Sequence, residues 1–109
     1  MGKLSVTKLA DATNLGQDTN YDFKAEFHKI QSVSAVWTAT TASVSLKLQY
    51  SNDNVNFHDF TTATAISNAN GTVMWDVGAS KDALYWRVFP DFASGTLTSF
   101  KAYVAYTER

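Results

Sequence analysis

The densest run of oxygen-bearing side chains in the sequence is Asn52, Asp53, Asn54 and Asn56, followed closely by Asp59. Oxygen donors at alternate positions are what a calcium loop requires, but such a loop opens on Asp and needs Gly at its sharp central turn. Here Asn52 stands at the first place and Phe57 where the glycine belongs. The better reading is a tight turn, because Asn, Asp and Ser side chains bond the backbone of their own turn. His28 and His58 fall on different segments, with no partner histidine at helical or hairpin spacing, and zinc needs three or four ligands. The chain has no cysteine, which removes disulfides, thiolate metal sites and cysteine nucleophiles together. No metal and no cofactor are expected.

Catalysis has little to work with. Nucleophile-elbow, phosphate-loop and His-Glu-x-x-His patterns are missing, and the serines are scattered. Asp59, Asp76, Asp82 and Asp91 could supply a carboxylate pair for glycoside cleavage if folding brought two together, but any acidic set offers that. The expectation is a non-enzymatic protein without catalytic residues.

Aromatic rings are the other chemical resource. Trp37, Trp75 and Trp86 could form a platform for sugar rings, yet each lies in phase with the apolar face of its segment, which favours core packing. Phe89, Phe92 and Tyr103 are the better candidates for exposed contacts. Pro90-Asp91-Phe92 breaks the strand pattern and is expected to form a loop that presents Phe92.

The elements that must position these groups read as strands. Period-two alternation recurs at Tyr21, Phe23, Ala25 and Phe27, at Val33, Ala35 and Trp37, at Val44, Leu46, Leu48 and Tyr50, and at Val73, Trp75 and Val77. Leu84 to Phe89 and Leu97 to Tyr106 are rich in β-branched and aromatic residues; the latter puts Phe100, Ala102, Val104 and Tyr106 on one face. Turn residues cluster at 40–43, 51–54, 67–71, 78–82 and 90–95. Asn70-Gly71 is read as a reverse turn using positive φ, in preference to the glycosylation sequon it forms with Thr72. No window has helical spacing beyond a single turn at 79–83. Residues 1–20 are weakly patterned apart from Leu4, Val6 and Leu9, so they form an edge strand or an arm ahead of a β-sandwich domain at 21–109.

Composition narrows the partner. The 109 residues are 45% hydrophobic and 14% aromatic, enough for a single core without staples. Nine basic against ten acidic residues, with neither sign clustered, leave no footprint for nucleic acid or an anionic membrane. Charged residues make up 17%, against roughly 25% in ordinary domains. Part of the surface is therefore expected to be covered in use. No apolar run suits a membrane span or a signal peptide, and Val6 stands where a myristoylation motif at Gly2 needs Ser or Thr. The expectation is a protein made in the cytoplasm and left unprocessed.

A resemblance sharpens this. Val36-Trp37-Thr38, then Leu46 through Phe57 (Leu-Lys-Leu-Gln-Tyr-Ser-Asn-Asp-Asn-Val-Asn-Phe), Val73-Met74-Trp75-Asp76-Val77, Tyr85-Trp86-Arg87-Val88 and Ser94-Gly95-Thr96-Leu97 together resemble small virion proteins of tailed bacteriophages. The resemblance implies an antiparallel β-sandwich of jelly-roll type with about eight strands. It also implies a head decoration or cement role on the capsid surface, as a homotrimer bound to the major capsid protein. Leu4, Val6, Leu9, Phe89 and Phe92 are then the candidate protein contacts. The alternative is a tail- or fibre-associated module that binds host carbohydrate through Asn52, Asp53, Asn54 and Phe57. Asn54 stands where glycine is usual in such turns, and Phe57 where tryptophan is common.

Overall fold

A computed structural model of the chain describes residues 3–26, 28–78 and 80–108. Phe27 and Ala79, which the alternation and the single helical turn invoked, lie outside the described residues, as does Gly2.

Two strands of 24 residues each, β3 (His28–Ser51) and β7 (Tyr85–Glu108), run antiparallel along their whole length and form the spine of the fold. On the far side of β7 lie β1 (Ser5–Leu15), opposite Leu97–Tyr106, and β2 (Tyr21–Lys24), opposite Tyr85–Val88. Beyond β3 lie β6 (Gly71–Asp76), β5 (Thr64–Ser67) and the two-residue β4 (His58–Asp59). All pairings are antiparallel, and no described residue is helical.

A flat strand of that length would reach about 80 Å, whereas the longest dimension of the molecule is 43 Å. The spine must therefore bend. Register shifts cluster at Thr38/Ala39, Ala39/Thr41 and Ser43/Val44, where β3 faces the middle of β7. Gly95 sits in the same zone at φ 81°, and a Cβ there would lie 1.7 Å from the Thr41 carbonyl oxygen, so only glycine fits. Folding at this line makes two layers. The first holds β1, the second half of β7, the first half of β3 and β6; the second holds β2, the first half of β7, the second half of β3, β5 and β4.

The layers face one another as an all-β, jelly-roll-like sandwich. Tyr21 of the second layer meets Phe100 of the first at 5.7 Å between ring centres, and Phe23 meets Tyr106 at 5.6 Å. Val33, Leu46, Val88, Leu97, Phe100 and Val104 are almost wholly buried between them. Trp37, Trp75 and Trp86 also belong to this core, and the indole N–H groups of Trp37 and Trp86 donate to the carbonyls of Ala69 and Ala83.

Several expected turns are corrected. Residues 40–43 and 90–95 are bends within continuous strands, so Phe92 is presented by no loop: it is half-buried, packed on the core, and paired with Val44. Pro90 fits because β2 ends its pairing at Val88. The N–H of Phe92 points away from β3 to the Asp18 carboxylate at 2.7 Å. Pro90, in the same strand phase, lacks an N–H only on that outer side. At 68–70 the chain crosses between layers, with Asn68, not Asn70 or Gly71, at positive φ. Gly71 is needed for another reason: a Cβ would come within 2.7 Å of the Trp37 ring.

Candidate functional site

Outward-facing residues of the two layers make two different surfaces, and the oxygen-rich turn borders one of them. That turn joins β3 to β4. Ser51, buried at the end of β3, accepts the N–H groups of Asp53 and Asn54 on its hydroxyl oxygen and donates its own proton to Asp53 Oδ1 at 2.8 Å. Asp53 Oδ1 also accepts the N–H groups of Asn56 and Val55, and Oδ2 accepts the Asn56 side-chain amide at 2.7 Å. The Asn56 and Val55 N–H groups, followed by the Asn56 and Ser51 side chains, hold the Asp53 carboxyl well below the usual carboxylate range. Asn54 takes the left-handed conformation at φ 59°, which explains how it replaces the more usual glycine. Asp53 is therefore spent on the turn itself. It fixes the path that carries Phe57 back over the sheet.

Phe57 lands on Arg87. The guanidinium carbon lies 3.8 Å from the centre of the Phe57 ring and 5.5 Å from that of Phe89. Its Nε–H donates to Gln49 Oε1 at 2.7 Å, and Gln49 Nε2 donates to Asp59 Oδ1 at 2.8 Å. The register explains this row: Asp22, Arg87, Gln49 and Asp59 are successive partners across β2, β7, β3 and β4. Lys47 lies 3.3 Å from Asp91 and covers Phe89, while Lys24 pairs with Glu26 and covers Tyr85. A groove of about 290 Å3 opens beside the row, lined in part by Asp22, Lys24, Asn54 and Tyr85.

The outer face of the first layer is different in kind. Val36 (42% exposed) and Met74 (65%) project from β3 and β6, and Val6 (62%) projects from β1. Tyr103 sits between them, with Lys8, Ser34 and Met74 in the same cross-strand row. A shallow depression there is lined by Val36, Val73, Met74 and Tyr103. Leu4 is 57% exposed just before β1, while Leu9, at the bulge between Lys8 and Ala10, turns inward and packs on the core.

The residues proposed from sequence are thus redistributed. Leu4 and Val6 belong to the first-layer side, Leu9 and Phe92 to the margin of the core, and Phe89 shares the second-layer face with Phe57. Asn52, Asp53 and Asn54 rim that second face without a sugar-stacking tryptophan, since all three indoles are buried. Asp59 and Asp91 do not form a carboxylate pair. Their partners Gln49 and Ser45 are separated along β3 by roughly 13 Å, beyond the spacing of glycosidase carboxyls. His28 packs on Tyr106 at 4.5 Å and His58 on Tyr50 at 5.6 Å, and no metal-sized cluster exists among the described residues.

Sequence reasoning passed over Val36, Met74 and Arg87 as contacts. The available signal was phase. With Trp37 and Trp75 pointing inward, Val36 and Met74 must point outward, and apolar residues in the polar phase mark a surface with a use.

Compared with family models and with curated proteins, the sequence matches none. Among solved structures the chain is similar to the Yersinia pseudotuberculosis-derived mitogen, at 14% identity and a TM-score of 0.55, over 100% of this chain and 88% of that one. That likeness describes a shared fold.

Proposed function

We propose that the chain is a non-enzymatic docking module that binds another protein through the outer face of its first layer. With the sequence resemblance, the partner is the major capsid protein of a tailed-phage head, whose outer surface the chain decorates as a homotrimer and thereby stabilises. The observation that carries this reading is the outward placement of Val6, Val36 and Met74 on one face, each with a large part of its apolar surface open to solvent. A ligand that binds only the assembled lattice stabilises it at every occupied site by mass action. Exposed apolar area of this type, with few charges, is what interface cores are made of. The likeness to the mitogen supports only the architecture.

The test uses two outward substitutions, Val36→Lys and Met74→Lys, in one variant. Both side chains are exposed, so the fold should persist. Binding to purified heads should fall at least tenfold, on the order of 1.4 kcal/mol. Unchanged occupancy of the heads would remove the first-layer face from the interface.

A second reading, a tail- or fibre-associated module for host carbohydrate, is favoured by one observation. The Ser51–Asn56 turn delivers Phe57 onto a sheet that also presents Phe89, Tyr85 and hydrogen-bonding side chains. Flat rings beside paired donors and acceptors suit a sugar better than they suit a flat protein contact.

A further inference from the structure

We infer that the second-layer face carries a carboxylate-recognition site centred on Arg87, and that its ligand is an acidic sugar residue. This rests on the carbohydrate reading of that face and names the chemical class it would take.

Lys8, Lys24 and Lys47 each pair with a carboxylate, whereas among the described residues Arg87 pairs with none. Asp22 is its neighbour across β2 but makes no ion pair with it, and Asp59 is turned to Gln49. Arg87 is nevertheless half-buried and tightly held: Phe57 covers one guanidinium face and Gln49 takes Nε–H. Guanidinium has five donors in a rigid plane. With one face stacked and Nε occupied, the terminal Nη1 and Nη2 edge remains, which is the edge that binds a carboxylate bidentately. A cation fixed by packing loses little freedom when it binds, so the site is preorganised.

The surroundings choose the rest of the ligand. Asp22 lies beside Arg87 in the row and Asp59 beyond Gln49, so closely packed anionic groups such as clustered phosphates would be repelled there while carboxylates borne one to a sugar ring are accepted. Those flanking carboxylates, with Gln49 and Asn54, are acceptors and amides suited to hydroxyl groups. The groove between Asn54 and Tyr85, at about 290 Å3, lies at the lower end of ligand-sized clefts; it is bounded by Asp22, the cross-strand partner of Arg87, so a small ring seated there has Arg87 just beyond its edge. A hydroxylated ring bearing one carboxylate, a uronic acid, satisfies all of these features together.

The experiment titrates 15N-labelled protein with a trimer of galacturonic acid, the same trimer as its methyl ester, and sodium acetate, following backbone amides and the arginine Nε–H signals. The acid trimer should shift Arg87 Nε–H and the amides of Phe57 and Phe89. The ester should bind at least tenfold more weakly, and Arg87→Lys, which keeps the charge but not the fork, should weaken the acid form by a similar factor. Arg87→Gln should abolish its binding. The ester comparison uses unaltered protein, so the test survives a variant that fails to fold. Equal binding of acid and ester would overturn the Arg87 inference while leaving carbohydrate binding in place. Acetate acting as well as the trimer would overturn the sugar reading instead, and no shift with any of the three would overturn both.

Discussion

The two outer faces of this sandwich are built from the same two strands, yet they are finished in opposite ways. On the second layer three half-buried outward rings each have a cation over them: Arg87 on Phe57, Lys47 on Phe89 and Lys24 on Tyr85. On the first layer Val6, Val36 and Met74 stand open around Tyr103. Alternation assigned one side of each strand to the core in both layers, so the core cannot be the source of the difference. It comes from the residues in the outward phase. A cation-covered ring is already partly satisfied and is suited to a small polar ligand, whereas open valine and methionine gain most from being covered by another protein.

The comparison breaks most completely at what the two faces share. Phe100 is wholly buried and meets Tyr21 across the layers, so Phe100→Ala should cost about 3–5 kcal/mol. Chemical denaturation should show one lowered midpoint, and both faces should lose binding together. A smaller effect sharpens the contrast: the Val36→Lys, Met74→Lys variant should lose head binding yet give the same Arg87 spectrum as the parent chain.

The smallest effect concerns the turn that aims Phe57. The folded Asp53 carboxyl titrates below its ordinary 3.8 because backbone N–H groups of Asn56 and Val55 bond its ionised form. A lowered folded value means that the carboxylate's hold on the turn is complete above the unfolded value and is lost as pH falls through the folded one. Hydrogen exchange at Val55 and Asn56 should therefore stay slow at pH 4 and speed up only in stronger acid. In Asp53→Asn it should be fast already at neutral pH, with the rest of the sheet unchanged.

Much of this was legible in the sequence. Strand positions followed from alternation at Val33 to Trp37, Val44 to Tyr50 and Phe100 to Tyr106, because a residue facing a dry core must be apolar and its neighbour need not be. The continuity of the two long strands was not legible. Thr41, Ser43, Pro90 and Gly95 are the residues a turn would use, and a strand that bends by bulges uses them too. Only the long-range pairing of β3 with β7 distinguishes a bend from a reversal, and that pairing is not local. Ser51 and Asp53 were legible as turn-formers, whereas the Arg87 site was not. It depends on Phe57 and Gln49 meeting Arg87 from a loop and another strand, with Asp59 of a third strand holding Gln49.

The direct test of the docking claim is oxidative footprinting of the chain free and bound to purified phage heads. Met74 and Tyr103 should be labelled in the free chain and shielded at least about tenfold on the head, while Phe57 and Phe89 are labelled alike in both. Shielding of Phe57 and Phe89 with Met74 still open, or no association with heads at all, would contradict the account.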